Sequence, residues 1–332
     1  MRYDEGVWSW RRLLGSILAL ALLFAGAVAL HRRLLCAGLF LRLEQKSEPS
    51  LLVHYGERSV AARPFVYAGG RGTLYVPAGA RGGSGIVLAH GIHEQGIVEP
   101  RLMRFARALA GAGFVVLTPE VANLARYRIV HEDVEAIAAA TRALAKQVKR
   151  EQVSVFGISF GGGLALRAAC EAGTRGSIER VIALGAHHDA ARVLRFFMGE
   201  PALGPAGEQA GVAPHQYGRT AIWMGLFGQK HNAPFTPEEQ RTAESALAAQ
   251  AAELDRASPS HCPERLAAPL FLVHGTGDTV VPYTETLWNQ QQFADQTEVR
   301  VLVSPAIVHA EYDPPSWWER VQLVEFIVHA LY

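Results

Sequence analysis

The sequence predicts an α/β fold: a mostly parallel central sheet with helices on both faces, a cap insertion, and one transmembrane helix ahead of the domain. Three observations carry this. Short all-apolar runs alternate with helical patterns from Gly85 onward, the alternation breaks once between His187 and Pro263, and an uncharged aliphatic stretch lies near the start of the chain.

That first stretch, Leu13 to Leu30, is 18 residues long and bracketed by Arg11 and Arg12 on one side and His31, Arg32 and Arg33 on the other. As a helix rising ~1.5 Å per residue it reaches roughly 27 Å, close to the thickness of a bilayer's hydrocarbon core. An uncleaved anchor fits better than a signal peptide, although Ala25-Gly26-Ala27 offers a small-residue cleavage site, because the apolar run is long for a signal's hydrophobic region. Leu34 to Leu41 is apolar again and reads as a segment lying on the membrane surface. Residues 1–41 are therefore expected to be an anchor with an interfacial segment. Arg2, Arg11 and Arg12 are balanced by Arg32, Arg33 and Arg42, so charge bias leaves the side of the membrane open. Leu35 stands where a lipoprotein signal needs a small residue, which argues against lipid attachment at Cys36.

Composition excludes some functions. At 332 residues, 49% hydrophobic and net charge +1, the chain has ample material for a large core and no basic excess for nucleic acid. Cys36, Cys170 and Cys262 show no C-x-x-C spacing, so the sequence indicates neither a disulfide framework nor a zinc site. Oligomeric state is not readable.

After a polar linker at 42–64, the domain is expected to fill 65–332. Phe65 to Tyr67 and Gly72 to Val76 read as strands joined through glycines. Gly85 to Ala89, Phe114 to Leu117, Val153 to Phe156 and Val181 to Leu184 follow as strands, with helices around Arg101 to Ala110, His131 to Lys149 and after Ser159. All-apolar strands alternating with helices imply a parallel sheet covered on both faces. Residues 187–263 break the pattern with an aromatic segment, Ala221 to Gly228, and a helical run, Pro237 to Ala257. This is the cap. Leu270 to Val273, Thr284 to Phe293, Glu298 to Val303 and Trp317 to Leu331 then resume strand, helix, strand and helix.

The chemistry centres on VSVFGISFGGGLALRAAC, Val153 to Cys170. A short strand meets an Ala/Leu helix at Ser159, with Gly157 and Gly161 two residues to either side: G-x-S-x-G. Such a reversal strains the serine backbone and leaves no room for side chains at the flanks. It also aims the first amides of the helix at any anion forming beside the serine.

With the elbow, the alternation and the insertion together, residues 60–332 resemble the α/β-hydrolase superfamily, nearest its capped esterases and lipases, with some likeness to dienelactone hydrolases and peptidases. The resemblance implies an α/β-hydrolase fold and a triad in the order nucleophile, acid, histidine. In PLFLVHGTGDTVVP, Asp278 matches the acid loop, and Asp189 is the alternative acid. In VLVSPAIVHAEY, His309 matches the base; Val308 stands before it where the family often has glycine. The segment IVLAHGIHEQG resembles the family's H-G-x turn, so the amides of Ile92 and Phe160 are the expected oxyanion hole, with His90 bracing the turn. His93, His188, Phe197, Trp223 and Phe227 are the expected substrate-binding residues.

The implied reaction is cleavage of an acyl ester through an acyl-serine, a carboxylesterase- or lipase-like activity that requires no metal or organic cofactor. Thioesterase, acyltransferase and peptidase activities share that intermediate, although a peptidase of this superfamily would usually bring a further large domain. An apolar cap and a membrane anchor favour a substrate with a hydrophobic part. His187-His188-Asp189 suggests a metal only weakly, since adjacent side chains on an extended segment point opposite ways. A non-catalytic, membrane-tethered scaffold is the reading from another class. Such relatives typically lose a triad member, and none is visibly lost here.

Overall fold

The computed structural model describes residues 5–43, 51–80, 82–231, 233–309, 311–312 and 316–332. Its first element is a single helix, α1 (Glu5–Leu43), roughly 58 Å long at the standard rise. Residues 14–30 are mostly exposed, and the helix from Leu14 is long and apolar enough to cross a membrane. No proline interrupts it, so the basic cluster at 31–33 does not end the helix. The predicted surface segment at 34–41 is thus corrected. Leu35, Cys36, Leu39 and Phe40 are buried in the last turns of α1, against the domain.

The domain begins with β1 (Val60–Tyr67) and β2 (Gly70–Pro77), an antiparallel pair that starts earlier than the expected linker end at 64. The alternating part runs β3 (Gly85–Ala89), α2 (Pro100–Gly111), β4 (Val115–Pro119), α3 (His131–Val148), β5 (Val153–Ile158), α4 (Phe160–Ala169) and β6 (Ile178–Leu184). The insertion supplies α5 (Ala190–Phe197), α6 (Gln216–Phe227), α7 (Pro237–Ala249) and α8 (Ala251–Ala257). The chain then forms β7 (Leu270–Gly275), α9 (Thr284–Phe293), β8 (Val299–Ser304), a short hairpin of β9 (Ile307–Val308) and β10 (Glu311–Tyr312), and α10 (Trp317–Leu331).

The eight-stranded sheet has the order β1-β2-β4-β3-β5-β6-β7-β8. Pairing is parallel from β4 through β8, as crossover helices require. Because strand side chains alternate, each central strand feeds two cores. In β3, Val87 and Ala89 face the layer containing α3 and α4, while Ile86 and Leu88 face α2 and α10. The last turns of α1 join the second layer, packing on α2 and α10. Burying each such Leu or Phe contributes about 1.5–3 kcal/mol.

Two further ties cross the fold. Cys170, which caps the end of α4, is bonded to Cys262 at the end of the cap, with their α-carbons 5.5 Å apart. The spacing reading indicated no such bridge, because a pairing 92 residues apart leaves no local signature. Arg33 of α1 pairs with Glu325 of α10 through two contacts.

Candidate active site

Ser159 stands between β5 and α4 with φ 55° and ψ −131°, a conformation that costs a non-glycine residue on the order of 1–3 kcal/mol. The surroundings hold it there. Its amide donates to the Leu184 carbonyl at 2.7 Å and its carbonyl accepts from Gly162 at 2.8 Å. A Cβ on Gly161 would lie 2.0 Å from the His90 carbonyl oxygen, and one on Gly157 2.4 Å from the Gly161 carbonyl oxygen. No side chain fits either position. The glycine flanks are a steric requirement of packing β5, α4 and the loop after β3 together.

Asp278 is buried in the turn after β7. Its Oδ1 accepts from the amides of Val280 and Val281 at 2.8 and 2.9 Å. His309 Nδ1 lies 3.1 Å from Oδ1 and 3.0 Å from Oδ2. Burial alone pushes this carboxyl up, but the facing His309 and hydrogen bonds from His274 and His309 outweigh it and hold the group well below the usual carboxylate range.

His309 occupies the turn between β9 and β10 with φ 52°. The histidine itself adopts the left-handed conformation, so Val308 before it stays in a strand. Ser159 and His309 line one cavity of about 630 Å³, together with His90, Gly91, Ile92 and His93. The loop after β3 touches the nucleophile: a Cβ on Gly91 would sit 3.0 Å from that of Ser159. This brings Gly91 against the serine, with Ile92 next in the chain on the same cavity wall and Phe160 the first residue of α4.

His90 braces the loop. Its Nδ1 lies 2.8 Å from the Gly91 carbonyl, and its Nε2 accepts from the Val121 amide at 3.3 Å, which fixes the neutral Nδ1–H tautomer. Burial lowers its pKa, favouring that neutral form.

Two residues escaped the sequence reading. His274, fully buried in β7, has Nε2 2.7 Å from the Val281 carbonyl and 3.4 Å from Asp278 Oδ2, while its Nδ1 lies 2.7 Å from Thr286 Oγ1. It braces the acid from behind. Its signal was the H-x-x-x-D spacing of His274 and Asp278. Tyr217 of α6 donates from its hydroxyl to the Ile92 carbonyl at 2.7 Å, tying the cap to the loop beside Ser159. It had no local signal.

Of the expected substrate residues, only His93 lines the cavity. Trp223 packs on Phe227, His231 and Phe235 with ring centroids 4.5 to 5.4 Å apart. Phe197 is buried against Phe160 and Phe196. His188 sits between Gln292 Oε1 at 2.5 Å and Arg192 at 3.1 Å. These side chains hold the cap together and onto the core, which is why its aromatic content did not report a binding surface. Asp189 caps α5, accepting from the Arg192 amide at 3.1 Å.

His187 faces the opposite way from His188. It is fully buried, its ring centroid is 5.0 Å from that of Phe160, and neither ring nitrogen has a hydrogen-bond partner among the described residues. Burial pulls its pKa down to about 3. The folded protein therefore refuses a proton that the unfolded chain accepts below about pH 6.5. Stability from this group is complete above that pH and falls by about 1.4 kcal/mol per unit below it. His187→Leu is expected to remove roughly 2 kcal/mol of the loss between pH 6.5 and pH 5, read from urea unfolding at the two pH values. Equal losses in wild type and variant would refute the assignment.

Two solved structures, both peptidases, agree with the fold. The Pyrococcus horikoshii acylaminoacyl peptidase is similar over 86% of this chain and 44% of its own, at 16% identity and a TM-score of 0.54. A Mycobacterium tuberculosis puromycin-hydrolyzing peptidase is similar over 84% and 39%, at 18% identity and a TM-score of 0.53. A Pyrococcus furiosus esterase is similar over 82% and 91%, at 14% identity and a TM-score of 0.49. The chain spans less than half the length of the two peptidases. No curated protein matches it. The sequence pattern of the alpha/beta hydrolase family matches residues 86–312, a span that contains Ser159, Asp278 and His309, and the chain belongs to that family.

Proposed function

We propose that this protein is a membrane-anchored serine hydrolase that cleaves an acyl ester through Ser159, His309 and Asp278. One observation carries the reading. A serine held in a strained elbow shares a cavity with a histidine whose Nδ1 is fixed on a buried, ionised carboxylate.

In this mechanism Asp278 holds His309 in the Nδ1–H tautomer, leaving Nε2 free to accept the Ser159 proton as Oγ attacks the ester carbonyl. The amides of Ile92 and Phe160 stabilise the resulting oxyanion, at about 3 kcal/mol per donor. His309 passes the proton to the departing alcohol, and water, deprotonated by the same histidine, releases the acyl group and restores Ser159. Tyr217 positions the Ile92 side of this pocket through its carbonyl.

The test is labelling of the detergent-solubilised full chain with a fluorophosphonate, which phosphonylates an activated serine. Wild type is expected to label and Ser159→Ala to lose the label entirely. A folded wild-type protein that does not label would overturn the acyl-serine reading.

The anchor is α1, with the apolar run of Leu14 to Leu30 in the bilayer. The Cys170–Cys262 bridge supports a domain on the oxidising side of that membrane, because disulfides persist there and are reduced in the cytosol.

A further inference from the structure

The cavity beside Ser159 does not run under the cap. Away from the catalytic loops it continues along the face of the sheet covered by α2 and α10, and its far wall includes α1. Leu39, Phe40 and Leu43 of α1 line it, together with Phe105 of α2 and Ile327 and Leu331 of α10. At about 630 Å³ it lies within the range of small-molecule sites, roughly 300–1,000 Å³, and its lining is mostly apolar, with Glu99, Arg101, Arg104 and Arg320 also on its wall.

The anchor is held in this position. Arg33 pairs with Glu325 of α10, and the Arg32 guanidinium lies 5.0 Å from the ring centroid of Tyr332, the residue that caps α10. Leu39 is nine residues past Leu30, the last residue of the exposed apolar run, or roughly 14 Å along the helix. One unbroken helix therefore offers an exposed apolar surface at membrane level and, a few turns later, the wall of a cavity that ends at the nucleophile.

We propose that this cavity is an acyl-chain site and that the substrate is a long-chain acyl ester of the membrane, its chain lying against the juxtamembrane turns of α1. This rests on the acyl-serine reading and specifies its substrate class. The reaction is ordinary ester hydrolysis: the ester C–O bond breaks, water adds its hydroxyl to the acyl carbon and its hydrogen to the alcohol, and a fatty acid and an alcohol leave.

The decisive experiment uses the unmodified full chain in detergent. A fluorophosphonate bearing a long alkyl chain with a terminal diazirine is reacted with Ser159, irradiated, and the protein digested with trypsin. The crosslink is expected on the peptide from Leu34 to Arg42 or on α10. A crosslink confined to residues 216–228 of the cap would overturn the proposal while leaving the acyl-serine intact. Failure of Ser159 to react at all would remove the underlying reading as well, so the two failures are distinct. In a second measurement, Leu39→Trp fills the cavity. The palmitate-to-butyrate ratio of kcat/KM for p-nitrophenyl esters is expected to fall at least about tenfold, the scale of discrimination that one or two misplaced methylenes bring. An unchanged ratio in the folded variant would overturn it.

Discussion

Asp278→Asn is expected to lower kcat for a short-chain ester about 10⁴-fold while leaving the fold intact. The direction follows from which oxygen is already committed. Oδ1 accepts two backbone amides, from Val280 and Val281, so the oxygen of an asparagine must stay there. Its NH₂ group then takes the place of Oδ2, facing His309 Nδ1 and His274 Nε2. A donor opposite His309 Nδ1 forces that nitrogen to accept and moves the ring proton to Nε2. Such a ring cannot take the proton of Ser159. The variant also loses the charge that stabilises the imidazolium, and it sets two donors against each other at His274. The measurement is kcat for p-nitrophenyl butyrate, with a melting curve to show that the protein is folded. A loss smaller than about tenfold would remove Asp278 from the orienting role, since misplacing the tautomer alone removes most of the rate.

The second large effect concerns the Cys170–Cys262 bridge. It closes a loop of 92 residues, and the chain-entropy relation gives about 4–5 kcal/mol of stabilisation for a loop of that size. For a domain of this length, that corresponds to a melting temperature roughly 7–9 °C lower in Cys262→Ser, or in wild type after reduction. Cys170 ends the helix that begins at the nucleophile, so the bridge ties that helix to the segment leaving the cap. Cys262 is partly exposed, which gives a reductant access. Thiol titration of the denatured, unreduced protein is expected to find one free cysteine, Cys36. Three free thiols in protein isolated under alkylating conditions would refute the bridge and, with it, the placement of the domain on an oxidising side of the membrane.

What the sequence by itself determined is local. The strand-turn-helix at Ser159, the alternation of apolar strands with helices and the apolar run near the start all appear in stretches of a few to about twenty residues, whereas Asp278 and His309 are matched through the family resemblance. Side-chain period and turn sterics act over that range, so these features survive without knowledge of the rest of the chain. The tertiary structure decided everything that joins distant segments. Cys170 met Cys262, Tyr217 reached the Ile92 carbonyl, and His274 came to brace Asp278 from within a strand that read only as apolar. The cap aromatics turned onto one another, and the stretch after Arg33 turned from an expected membrane surface onto α2 and α10. An apolar residue reports that it will be buried but not against what, because burial free energy is non-directional. The same hydrophobicity in Leu39 and Phe40 would have suited a lipid surface. Packing on α2 and α10, with Glu325 and Tyr332 far along the chain holding the basic residues of α1, brings those residues to the wall of the cavity.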